Sequence, residues 1–201
     1  MKKLCFLLIV FLSTIIYSNI SFARDYEAFL NAGASTIQAG VDMKNNLEQG
    51  YMRTGLSGIY TNDDDGDYRI LDVHLTLGNE ILIQGLDGEL GIKGLIGSID
   101  RGQRDSDLGS LAFMVRGTYQ LPNKIIPVTT KVFSEISLTP GPMAFMDMDQ
   151  YFEIKMGADI YIVENAALEF SYQHYDMKIE DDPRDWSKED NIVTIGIKLK
   201  F

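Results

Sequence analysis

The side chains of this chain that could move a proton near neutral pH are two histidines. His74 follows Asp72 by two places in YRILDVHLTLG. In a strand that spacing puts both on one face, where a histidine–carboxylate pair could form. No nucleophile motif accompanies the pair. The plainer reading of His74 is a hydrogen-bonded histidine inside the fold. His174 lies in SYQHYDM, where Tyr175 and Asp176 follow it. No serine stands there, which speaks against acyl-ester hydrolysis. Its plainer reading is a belt of aromatic side chains with Tyr172, Tyr175 and Trp186. NDDDGD (62–67) offers hard oxygen ligands at Asp63, Asp65 and Asp67, as the start of a calcium loop does. It lacks the later bidentate glutamate, and Asp-Gly is an ordinary hairpin signal. The reading is therefore no catalytic residue, no cofactor and no dedicated metal site, with calcium at the acidic loop left open.

The start of the chain bounds its compartment. Lys2 and Lys3 precede LCFLLIVFLSTIIY, and Ser21-Phe22-Ala23 has the small-x-small pattern of a leader cleavage site. Residues 1–23 read as a cleaved signal peptide and 24–201 as a single domain. The apolar run is short for a membrane helix of roughly 20 residues. Cys5, the one cysteine, leaves with the leader, so disulfides and thiol chemistry are excluded from the mature chain. Loss of Lys2 and Lys3 takes the net charge from −11 to −13. Such a surface repels phosphates, so nucleic acid is excluded as a partner.

Alternation by two runs through the rest. Leu111, Phe113, Val115 and Leu121 share a face, opposite Ser110, Ala112, Met114 and Arg116. Leu71, Val73, Leu75 and Leu77 oppose Asp72, His74 and Thr76. Similar segments near 151–163, 166–175 and 191–201, weaker ones near 51–60, 89–99 and 128–138, and a first hairpin around Ser35-Thr36 make ten strands. Eight is the alternative count. The final strand, NIVTIGIKLKF, sets Val193, Ile195, Ile197, Leu199 and Phe201 on one face. A sheet can cross a bilayer only if it closes, because unpaired peptide groups are costly in hydrocarbon. The expected fold is all-β: a closed antiparallel transmembrane barrel with about ten strands. The terminal pattern reads as the signal presented to barrel insertion machinery. Acidic stretches at 61–67, 100–107, 139–150 and 178–190 would be long outer loops. Turns at 78–80, 121–127 and 164–165 would be short inner ones. An even strand count then puts both termini in the periplasm. The alternative outside the membrane is a soluble exported β-sandwich.

YTNDDDGDY (60–68), GIKGLIGS (91–98), FSEISLTPGP (133–142), the strand from Tyr151 to Ala158 and the Phe-terminated end resemble the YfaZ family of outer-membrane proteins. That resemblance implies a barrel of porin-like kind with no assigned reaction. PMAFMDMD (142–149) is more apolar than the family pattern leads one to expect.

Alternation also sorts the charges. Arg53, Lys93, Arg116, Lys131, Lys155 and Lys198 fall on inward positions. So do Asp72, His74, Glu135, Glu153, Asp159 and Glu169. Both signs occur in similar number, and a small barrel is filled by its side chains. The expected lumen is an ion-pair network, and the expected role a largely plugged or narrow porin-like barrel without catalysis. The alternative is a barrel hydrolase acting on envelope lipid. Expected partners are outer-membrane lipid, lipopolysaccharide, the insertion machinery and periplasmic chaperones.

Overall fold

The structure, a computed structural model, describes residues 24–63, 66–102, 104–122, 128–180 and 185–201. The leader (1–23), with its expected cleavage, lies outside the described residues, as do Asp64 and Asp65.

Eleven strands follow one another: β1 (Arg24–Ala32), β2 (Thr36–Asn46), β3 (Tyr51–Thr61), β4 (Asp67–Glu80), β5 (Leu86–Arg101), β6 (Arg104–Gln120), β7 (Thr130–Thr139), β8 (Ala144–Met146), β9 (Met148–Val163), β10 (Ala166–Ile179) and β11 (Trp186–Lys200). Ten are long; β8 is a three-residue flap. Each long strand pairs antiparallel with its neighbours, and β7 pairs directly with β9. The ring closes where β1 meets β11, with Leu30 opposite Ile197. Tyr26 and Phe201 exchange backbone hydrogen bonds at 3.2 and 2.8 Å beside this seam. Among the described residues every long strand is paired on both sides around the ring, so the soluble-sandwich and eight-strand alternatives are set aside.

Alternation decides what each face touches. The outward positions of β11 are the expected apolar ones, from Val193 at 70% exposure to Phe201 at 72%. Leu71, Val73, Leu75 and Leu77 continue the belt on β4, as do Leu90, Ile92 and Ile96 on β5. Exposed aliphatic surface on this scale is unstable in water and suits hydrocarbon.

Three expectations about connections need correction. The acidic stretch 100–107 is not a long loop. β5 and β6 run through it to a tight turn, with Arg101 opposite Arg104 and Gly102 at φ 69°. Peptide pairing continues past the apolar belt because the neighbouring backbone, not lipid, sustains it. The 78–80 signal is also strand, and its turn is 81–85, closed by Ile81 N–H donating to Leu86 O at 2.8 Å. Finally, most of the expected 121–127 turn lies outside the described residues, and among the described connections 47–50 and 81–85 at the end holding the termini exceed 33–35 at the far end. Loop length therefore does not separate the two ends.

The apolar 142–149 stretch has a packing reason. β7 stops pairing with β6 at Phe113, which leaves the far part of β6 uncovered. β8 lies along Leu108–Ser110 there, and the Phe145 ring sits where a side chain on Gly109 would be.

Candidate functional site

Among the described residues the elements bring chemistry together in the lumen, which has two layers. In the half farther from the termini the inward residues are mainly apolar, interrupted by buried polar groups such as Thr36, Thr61, Ser110, Thr139 and Lys188. Tyr68, Leu95, Ile99, Leu108, Met177 and Ile179 form the heart of this cluster. Tyr175 joins it, its ring 6.2 Å from Tyr68 and 6.1 Å from Tyr151. Trp186 packs against the same cluster, with the Arg101 guanidinium 5.5 Å from its ring. Two of the aromatic side chains assigned from sequence to an outer belt are thus inside. Tyr175 shares its parity with inward Gln173 and Ser171, so the alternation of β10 already places it there.

The other half is charged. One cross-strand row runs Glu89, Arg116, Glu135, Lys155 across β5, β6, β7 and β9, alternating in sign. Opposite charges at directly facing positions stabilise a sheet pair. A second row runs Glu27, Asp42, Gly55, His74, Lys93 across β1 to β5. The rows meet across the barrel. Lys93 Nζ donates to Glu135 at 2.6 Å and to Glu153 at 2.7 Å. Lys198 Nζ lies 2.7 Å from both Asp159 and Glu169. Lys155 lies 4.0 Å from Glu169, and Arg116 3.9 Å from Glu135. Arg53 is shared by Glu89 at 3.3 Å, Asp42 at 3.4 Å and Glu27 at 3.5 Å. Lys131 stands apart from the ion pairs, with its ammonium 5.5 Å from the Tyr161 ring.

Neutral donors complete the network. Tyr151 donates to Glu153 at 2.6 Å, and Gln173 donates to Glu153 and to Tyr175. Thr76 and Tyr51 donate to Glu89 at 2.7 and 3.0 Å. Asn31 donates to Glu169 at 2.7 Å. Buried charge is tolerable only when partnered this densely. What remains open between the rows is a cavity of about 50 Å³, room for a few waters rather than a solute.

His74 lies between two carboxylates, Nε2 being 3.3 Å from Asp42 and Nδ1 3.8 Å from Asp72. The Ser57 hydroxyl donates to Asp72 at 2.5 Å. His174 is at the far end on the outward face, with Nδ1 3.0 Å from Asn191 Oδ1, which also accepts from Tyr172 at 2.6 Å. Of the acidic loop, Asp67 accepts from Asn62 at 3.3 Å.

Glu27, Asp42 and Glu89 are the network members that sequence reading missed. Glu89 has the parity of Lys93 and was legible. Asp42 and Glu27 sit on the first hairpin, whose alternation (Gln38, Gly40, Asp42, Lys44 against Ile37, Ala39, Val41, Met43) carries the signal only once its register is fixed.

The model of the YfaZ precursor family matches residues 1–201, the whole chain. The chain belongs to the YfaZ precursor family. No curated protein matches it. Among solved structures, this YfaZ-family chain is similar to the NanC porin, at TM-score 0.41 and 12% identity, covering 89% of this chain and 100% of that one. It is similar to Neisserial surface protein A, at TM-score 0.37 and 10% identity, covering 89% and 94%. It is also similar to the copper transporter OprC, at TM-score 0.35 and 13% identity, covering 84% of this chain. The chain spans 31% of that transporter's length. At such scores the architecture rests on the chain's own strand pairing. The closed ring and the apolar belt of this YfaZ-family protein make it an outer-membrane β-barrel.

Proposed function

We propose that this YfaZ-family barrel is a plugged structural element of the outer membrane, at most a narrow path for water or very small solutes, without catalytic activity. One observation carries the reading. Inward side chains occupy the lumen at two levels, the apolar cluster around Tyr68 and Leu95 and the ion-pair rows around Lys93 and Glu135, which supports a plug. A barrel of this size has little room beyond its own side chains.

Catalysis finds less support. His74 is enclosed by Asp42 and Asp72, and the Ser57 hydroxyl is committed to Asp72. Incubation with envelope lipids, followed by mass analysis for deacylated or transferred chains, tests this half of the reading. Released acyl chains would overturn it.

The even strand count supports both termini facing the periplasm. In this reading Val193, Ile195, Ile197, Leu199 and Phe201 form the signal read by the insertion machinery after periplasmic chaperones deliver the chain. The belt meets lipid, and the far rim meets lipopolysaccharide. Planar-bilayer recording tests the plug. Closed or barely conducting barrels are expected, and a stable conductance on the scale of general porins would overturn the proposal.

A further inference from the structure

The barrel wall is notched at its far end. β1 stops at Ala32, opposite Ile195, while β11 continues as far as Trp186. Among the described residues, 186–194 pair with β10 on one side and with no strand on the other. The β1–β2 turn reaches only the level of Val193: a Cβ on Gly33 would lie 2.7 Å from Val193 O. Val193 is also the last apolar outward residue of β11, and Asn191, Glu189 and Ser187 follow it. The notch therefore opens where hydrocarbon gives way to headgroups.

Donors without acceptors gather on the inner face of β11 behind this notch. Lys188 is inward and 5% exposed, facing Met177 across β10. Among the described residues no carboxylate lies within ion-pair distance of its ammonium, and no hydrogen bond reaches it. Asp190, two places along the same face, is held elsewhere. Its Oδ2 accepts from Tyr68 at 2.8 Å and its Oδ1 from the Asn191 N–H at 2.8 Å. Trp186, two places the other way, has a buried Nε1 with no acceptor. Arg101, at the end of β5, lays its guanidinium 5.5 Å from the Trp186 ring. The fold treats its other buried ammoniums differently: Lys93 and Lys198 each have two carboxylates at 2.6–2.7 Å. A buried cation without a partner is costly. Donors alone are completed by a group that only accepts, and a phosphate offers several such oxygens in one place.

The acids of the rim leave this side clear. Asp67, Asp100, Asp105 and Asp107 have outward parity. Asp149, Glu180 and Asp185 border Trp186 on its β9–β10 side, away from the notch.

We propose that Lys188, with Arg101 over Trp186, forms a site for the phosphate of a phosphorylated sugar, entered through the notch from the outer leaflet. A glycolipid headgroup as its source rests on the reading of the far rim as the end that meets lipopolysaccharide. The phosphate site itself does not.

Trp186 is the chain's single tryptophan, so its emission reports on the site in the folded barrel in detergent. Phosphorylated lipid A should change that emission saturably. Dephosphorylated lipid A should bind about tenfold more weakly, the ratio of roughly 1.4 kcal/mol. Lys188→Met should erase the preference. It strands no carboxylate, so heat-modifiable migration and the urea midpoint should hold, unlike after loss of Lys93. Should Lys188→Met fail to fold, Arg101→Gln at the strand end must weaken the phosphorylated lipid likewise. The proposal is overturned by absence of a response to phosphorylated lipid A, by equal binding of the two lipids, or by a preference undiminished in the folded variants. Glucosamine 1-phosphate in solution separates the sources. Weak binding beside tight binding of phosphorylated lipid A supports the glycolipid. Binding as tight as that of the lipid keeps the phosphate site and overturns only the far-rim reading. A conducting barrel in the planar bilayer would remove the plug and leave the site standing, since Lys188 lies beyond the ion-pair rows.

Discussion

Lys93 holds its ammonium between Glu135 and Glu153 with 6% of its side chain exposed. Removing it strands two carboxylates that the fold has already desolvated. Breaking a buried pair costs about 3–5 kcal/mol. Lys93→Met is therefore expected to lower unfolding stability by about that amount, read from urea titration in detergent. Adding Glu135→Gln and Glu153→Gln to the same chain should recover most of the loss. Equal loss in the single and triple variants would mean that shape, not charge, matters at this point. Gly55 is a second sensitive position. A Cβ there would lie 2.0 Å from Asp42 Oδ1 and 2.3 Å from His74 Cε1. The missing side chain is what lets the imidazole sit between its carboxylates. Gly55→Val is expected to cost about 1–3 kcal/mol, with partial relief on adding His74→Ala. Parity alone put His74, Lys93 and Glu135 inside, because a strand offers two faces and the other is apolar. It could not tell which charge meets which. Lys93 reaches Glu135 and Glu153 from two strands that lie far away in sequence, and that distance is settled by ring closure.

At the scale of the strand, β11 separates lipid-facing chemistry from its surroundings. Its apolar outward band runs from Val193 to Phe201, with Ile197 at the centre, while Asn191 is outward but beyond the band. A charge at mid-belt costs about 2–4 kcal/mol, and one near the interface about 0–1. Ile197→Arg should thus weaken the barrel by the larger amount and Asn191→Arg by the smaller, compared in vesicles by the same urea assay. Equal costs would contradict the placement of the belt. Deleting Phe201 tests the terminal signal separately: the chain should accumulate in periplasmic extract, while membrane fractions lose their heat-modifiable form. The long strands were legible because lipid on one side enforces period two. Their ends were not. Asp100, Asp105 and Asp107 look like loop residues, yet they continue β5 and β6 past the belt. Polar outward residues there are compatible with water and say nothing about whether the backbone stays paired. β8 was equally hidden. Its reason is the short reach of β7, a property of its neighbours and not of its own residues.

In the proposed plug, closure of the whole molecule depends on two unlike materials in series. In that reading the far half is narrowed by Leu95, Ile99 and Leu108, while its buried hydroxyls bond one another, Thr36 with Thr61 at 3.0 Å and Thr139 with Ser110 at 3.0 Å. The near half is filled by ions that hold one another, with Lys198 between Asp159 and Glu169 and Lys93 between Glu135 and Glu153. Series closure has a consequence that either layer alone would not have. Shrinking the apolar layer with Leu95→Ala and Leu108→Ala opens the far half, but the ion-pair layer still blocks the path. Neutralising Glu135→Gln with Lys93→Met loosens the near half and leaves the apolar layer shut. Neither pair of changes should raise conductance in a planar bilayer. The four substitutions together should, provided the barrel retains its heat-modifiable migration. A rise produced by the first pair alone would mean that the ion-pair layer is permeable. A rise with the second pair alone would mean that the apolar cluster is no barrier. Each result locates the constriction on one side of the line between Tyr151 and Glu153, where one donates to the other at 2.6 Å and the two layers join.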